Sequence, residues 1–169
     1  MNQYNYPEEF YNLANALIYA GKVIDNKGWC PATSGNFSAR LSDGTIAITV
    51  SGKHKGQLQH GDIMLIDAQG NALDGKVPSA ETMLHIQLYQ RFTDVNAVLH
   101  PHSLNSTLIS MQCNKKDRLI SKVTLKNYEL LKAFSGITTH EQRIVIPSFD
   151  NDQNILRLAE QVESYMDSH

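Results

Sequence analysis

Cysteine is scarce in this chain, and a basic excess is absent. Cys30 and Cys113 are the only two cysteines in 169 residues. They make no spacing motif, so no disulfide framework is expected and the cytoplasm is the default compartment. Fifteen Lys and Arg stand against seventeen Asp and Glu, a net charge of −2, so no nucleic-acid partner is expected. No apolar run approaches the roughly 20 residues of a membrane-spanning helix, so no membrane partner is expected either. The opening MNQYNYPEEFYN has no charged stretch followed by an apolar core, and no secretory signal is expected. Linkers, internal repeats and low-complexity tracts are lacking. So are a G-x-x-x-x-G-K-[ST] phosphate loop and a G-x-G-x-x-G fingerprint.

What is present is the balance of a soluble globular protein, 41% hydrophobic and 19% charged. The mass of 18.9 kDa suits a single domain over residues 1–169. Such a chain can bury about 70% of its unfolded surface without disulfides or a structural metal. Seven histidines are a high count and the first hint of a site.

Helical spacing of Phe10, Leu13, Ala14, Leu17, Ile18 and Ile24 predicts a first helix, with Pro7 at its start and Gly28 at its stop. Residues 29–38 read as a loop, or a loop with a short edge. TIAITV at 45–50 and IMLID at 63–67 read as strands. A helix is expected from Pro78 and Ser79 to about Arg91, capped by Ser79. VNAVLH at 95–100 reads as a buried strand, and SLNSTLIS after it as the start of a helix. A further helix is expected around Asn127–Phe134, then a short strand, IVIP, at 144–147. The last helix places Ile155, Leu158, Ala159, Val162 and Met166 on one face, with Asp150 and Asp152 as capping carboxylates. The mixture predicts an α/β fold with helices on both sides of a sheet.

His100 and His102 in AVLHPHS are the sharpest chemical feature. Two residues apart on a strand, they share a face, and their imidazoles could share one metal ion. The alternative is a chance pair at a strand end. Glu81 and His85 lie four apart on one helical face and could ligate a metal or relay a proton. For His85, simple packing among Leu84, Ile86 and Leu88 is the favoured alternative. TSGNFS at 33–38 and SGKHKG at 51–56 leave backbone N–H groups free to face an anion, with Lys53 and Lys55 as added positive charge. That combination suits a phosphate monoester, although such loops are usually only turns. Glu129 has apolar neighbours that could raise its pKa into the acid–base range. A solvated carboxylate is the plainer reading there. His140 could be a ligand, a loop residue or a cap.

GWCPATSGNFSARL, ITVSGKHKG, PSAETMLH and AVLHPHS, in that order, resemble the class II aldolase/adducin family. YELLKAFSGITTHE and IPSFDNDQNILRLAEQV are similar to a dehydratase subgroup of that family that acts in methionine salvage. The resemblance runs from about Phe10 to Val162. It implies a three-layer α/β/α sandwich with a largely antiparallel central sheet, assembled as a homotetramer. It implies one divalent metal per subunit, zinc by expectation, held by His100 and His102. It places Thr33, Gly35 and Asn36 in a first phosphate loop and Ser51 and Gly52 in a second. Ser79 and Glu81 fall where related aldolases place a phosphate contact and a carboxylate near the metal. Glu129 matches the subgroup's acid–base residue. The implied substrate is a small phosphorylated ketose and the implied reaction is loss of water.

The family's third metal histidine lies in a Gly-His-Gly-like strand after the FDNDQ helix. The resemblance therefore implies a chain without its C-terminal strand and helix, either a fragment or a natural short form. Two other outcomes stay open at the level of sequence. One is a sugar-phosphate aldolase using the same metal and loops. The other is an adducin-like module of poor or absent catalysis.

Overall fold

The computed structural model describes residues 5–113 and 120–169. The chain divides into two compact units, Met1–Ser103 with Gln153–His169, and Leu104–Asp152.

The larger unit is built on a four-stranded sheet. Its strands are β1 (Asn36–Arg40), β2 (Ile46–Thr49), β3 (Ile63–Ile66) and β4 (Ala97–His100). The order is β3-β2-β1-β4 and every pair is antiparallel. Alternation along the strands divides the side chains between two faces. Phe37, Ala39, Ala47, Ile63 and Leu65 join Phe10, Ala14 and Leu17 of helix α1 (Glu8–Asn26) in one core. Ile46, Ile48, Met64 and Ile66 join Ile86 and Tyr89 of helix α2 (Thr82–Arg91) in the other. The final helix of this unit packs beside α2. There Gln87 donates to the Ala159 carbonyl at 2.8 Å, and Arg91 pairs with Glu163 at 2.8 Å. Helix, sheet and helix make the three-layer α/β/α arrangement that the resemblance implied.

Two positions show why the layers close as they do. Gly21 lies in α1 where an added Cβ would stand 2.2 Å from the Lys55 carbonyl oxygen, so only glycine admits the 3-10 turn Lys55–Gln57. Arg40, at the end of β1, crosses to the C-terminus of α2 and donates to the carbonyls of Tyr89 and Thr93 at 3.1 and 2.6 Å. A cation at that end satisfies carbonyls the helix leaves open.

The smaller unit holds helix α3 (Leu104–Cys113) and strands β5 (Ile120–Lys126) and β6 (Arg143–Phe149). The two strands pair antiparallel without interruption from Ile120↔Phe149 to Lys126↔Arg143. Helix α4 (Ile155–Asp167) belongs to the larger unit.

Several elements differ from their sequence expectation. Residues 36–40 form an inner strand with neighbours on both sides; for 29–38 a loop, or a loop with a short edge, was expected. β4 is an edge strand with Leu99 44% exposed, so it is not buried. Ser79 does not cap α2; its hydroxyl donates to the Thr49 carbonyl at 2.8 Å, and Glu81 occupies the cap position. Around Asn127–Phe134 only a 3-10 turn forms, Glu129–Ala133. Asn127 at φ 61 and Gly136 at φ 80 lie on either side of that turn. Asn154, not Asp150 or Asp152, caps α4, accepting from the Arg157 N–H at 3.1 Å. Among the described residues no helix is long and apolar enough to cross a membrane.

Candidate active site

The site grows from the meeting of β1 and β4. Their register sets Asn36 directly opposite His100. Side chains paired this way on one face of a sheet are in reach of each other. Gly35, just before β1, has φ +78, and a Cβ there would stand 2.6 Å from the His100 carbonyl oxygen. Glycine is what lets the TSGN loop lie against the end of β4. Beyond His100 the chain turns, and the His102 N–H donates to the Trp29 carbonyl at 2.7 Å. The two imidazoles end with centroids 4.7 Å apart, although His102 lies beyond the strand and not on it as the spacing reading had it.

The loops after β2 and before α2 are strapped together. The Ser51 N–H donates to the Val77 carbonyl at 3.0 Å, and Ser79 N–H and Oγ both donate to the Thr49 carbonyl. This brings Ser51, Gly52, Ser79 and Glu81 beside Thr33, Gly35 and Asn36. Together with Ser34, Lys55 and His102 they line a cleft of about 380 Å³. The Ser34 hydroxyl, on this wall, is buried without a hydrogen-bond partner.

The two lysines of SGKHKG part company. Lys55 is 1% exposed, and its ammonium donates to the Thr33 and Lys53 carbonyls at 2.8 and 2.5 Å. It ties the two loops together and lines the cleft. Burial pushes its pKa below the usual lysine range, against the pull of the Cys30 thiol and of Glu81. Lys53 pairs with Asp62 at 2.9 Å, and does not line the cleft.

Behind the cleft lies a chain of polar contacts. Asn36 Nδ2 donates to Glu81 Oε2 at 2.6 Å. Asn36 Oδ1 stands 2.6 Å from His85 Nε2 and 3.3 Å from His100 Nδ1. His85 Nδ1 stands 2.7 Å from Ser38 Oγ, which is 2.8 Å from the Tyr89 hydroxyl. His85 is 1% exposed, as the packing reading expected, and burial, helped by His100, lowers its pKa to about 4. Burial also pushes His100 down, with His102 in the same direction and Glu81 opposing. Sequence reasoning missed Ser38 and Tyr89. The available signal was spacing: Glu81, His85 and Tyr89 recur every four residues, and Ser38 follows Asn36 on the same strand face.

Glu129 and His140 belong to the smaller unit. Glu129 is exposed and pairs with Lys132, and His140 Nδ1 lies 3.7 Å from its other oxygen. Lys132 first, then His140, holds the carboxyl below the usual range. The surroundings are those of a solvated carboxylate, and among the described residues the lowering by Lys132 outweighs the small effect of burial. Leu130 beside it is 80% exposed.

The family profile described as Class II Aldolase and Adducin N-terminal domain matches residues 15–169, so the chain belongs to that family. It is 59% identical over 95% of its length to the methylthioribulose-1-phosphate dehydratase of Methylococcus capsulatus, covering 76% of that protein. It is 51% identical over 93% of its length to the enzyme of the same name from Azotobacter vinelandii, covering 74%. Its fold is that of a solved L-fuculose 1-phosphate aldolase, with a TM-score of 0.58 at 21% identity over 97% of this chain and 85% of that one.

Class II aldolases are metal-dependent. Among the described residues no three His, Cys, Asp or Glu side chains converge on one point. Two imidazoles side by side are nonetheless donors that suit a divalent transition metal. His100 turns Nδ1 to Asn36, so Nε2 is the ring nitrogen that could face an ion. On that chemistry the side chains present fit a metal.

Proposed function

We propose that this chain is a hydro-lyase that dehydrates 5-methylthioribulose 1-phosphate to a 2,3-diketo-5-methylthiopentyl 1-phosphate, a step of methionine salvage. The observation that carries this reading is 59% identity across 95% of the chain to a protein of that name. The cleft supports it. Thr33, Gly35, Ser51, Gly52 and Ser79 line it with small side chains that leave room for a phosphate, with the Lys55 ammonium beneath; the Ser51 and Ser79 N–H groups are spent on the Val77 and Thr49 carbonyls. The unpartnered Ser34 hydroxyl adds a donor.

His100 and His102 would hold the cation, zinc by proposal, with Glu81 beside them. When bound, it would supply Lewis-acid polarisation of the substrate carbonyl. The protein's own residues must then move two groups, the hydrogen on C3 and the hydroxyl on C4. Glu129 is the proposed acid–base residue. Its carboxyl is held low, so it enters ionised and must take up a proton before giving one to the leaving hydroxyl. Assembly as a homotetramer and a cytoplasmic location complete the proposal.

Glu129→Gln should keep bound metal and lose roughly 10²- to 10⁴-fold in turnover, the usual worth of a general acid–base group. Turnover equal to the parent would remove Glu129 from the mechanism. The parent should release an ultraviolet-absorbing diketone or its enol. A triose phosphate or dihydroxyacetone phosphate would instead make the reaction a carbon–carbon cleavage.

A further inference from the structure

We propose that His85 is a positioning residue: through the Asn36 amide it fixes both the tautomer of His100 and the place of Glu81. This rests on the reading that His100 and His102 hold a divalent cation.

Hydrogen-bond direction orders these groups. An ionised Glu81 can only accept, so it must face the amide nitrogen of Asn36, as the 2.6 Å contact has it. The amide oxygen then faces His85 Nε2 and His100 Nδ1 at 2.6 and 3.3 Å. An oxygen only accepts, so both rings must present N–H to it. His100 is thereby held as the Nδ1–H tautomer, with its Nε2 lone pair free for metal. In a neutral His85 ring, Nε2–H leaves Nδ1 as an acceptor. Ser38 Oγ, 2.7 Å away, donates to it and in turn accepts from the Tyr89 hydroxyl at 2.8 Å. Tyr89 is pinned from its other side by the Arg40 guanidinium, 5.2 Å above the ring.

His85 is the rigid member of this chain. It is 1% exposed, and both ring nitrogens are engaged. Without its N–H the Asn36 oxygen keeps only the longer contact to His100, and the amide can turn. Outer contacts of this kind typically set metal affinity by 10- to 100-fold.

The test is Co²⁺ titration of the purified chain, followed by the visible absorption of the bound ion. His85→Leu should weaken Co²⁺ binding roughly 10- to 100-fold. His85→Gln keeps a donor toward Asn36 and should stay within about threefold of the parent, which a merely space-filling role would not require. Parent-like affinity in His85→Leu, or equal loss in both variants, overturns the proposal. Should His85→Leu fail to fold, Ser38→Ala removes only the hydroxyl behind the ring and should still cost several-fold in affinity; no loss there overturns it.

NMR of the imidazole nitrogens in the metal-free chain separates the two readings. A parent that takes up no Co²⁺ ends the metal reading. The positioning role then stands if His100 is the Nδ1–H tautomer in the parent and a mixture in His85→Leu. It falls if the two spectra agree.

Discussion

The Asn36 amide joins Glu81, His85 and His100 across 2.6, 2.6 and 3.3 Å. Its effect can be read through pH. His85 has a folded pKa of about 4 against an ordinary 6.5, because burial disfavours the imidazolium. The unfolded chain therefore takes up a proton that the folded chain refuses. The stability this group supports is full above about pH 6.5 and is lost as pH falls toward 4, up to roughly 3 kcal/mol. Urea unfolding should show a falling midpoint from neutral pH to about pH 5, with a shallower fall in His85→Gln. Equal slopes would mean His85 is not the buried neutral group described. Its chemistry was half legible in the sequence. The His-x-His pair and the TSGN, SGKHKG and SAE segments name nearly every residue of the cleft. That Asn36 serves His85 and His100 depends on the β1–β4 register, which no local pattern encodes.

At the scale of elements, α1, α2 and α4 announce themselves by their apolar period, β2 by its β-branched residues and β3 by a short apolar run. β1 does not, because the residues on its α2 side, Asn36, Ser38 and Arg40, are all polar, and the first two belong to the network. A strand with a polar buried face reads as a loop. Asn127–Phe134 misleads in the opposite direction: its apolar residues suggest a helix, but Asn127 is left-handed and only the 3-10 turn Glu129–Ala133 forms. The Gly35 junction offers a controlled test of the strand-to-loop geometry. Gly35→Ala meets the His100 carbonyl at 2.6 Å at a φ of +78, whereas Gly44→Ala, at φ +87, meets nothing within 4 Å. The backbone conformation alone should cost each variant about 1–2 kcal/mol. Gly35→Ala should lose more than that, and equal urea midpoints for the two variants would show that the close approach is not rigid.

At the scale of the whole molecule, the larger unit carries the cleft, the histidine pair and the network, while Glu129 and His140 lie in the smaller one. The chain spans about three quarters of the length of the curated relatives it matches. Its three-layer core and antiparallel sheet are those of class II aldolases. On the proposed function, His100 and His102 would make a metal site beside a phosphate-holding cleft. Elemental analysis of protein purified without a metal-binding tag tests it most directly. About one equivalent of a divalent transition metal per chain is expected, lost in His100→Ala. A chain that carries no metal, or a His100→Ala variant that holds it as tightly as the parent, would contradict it.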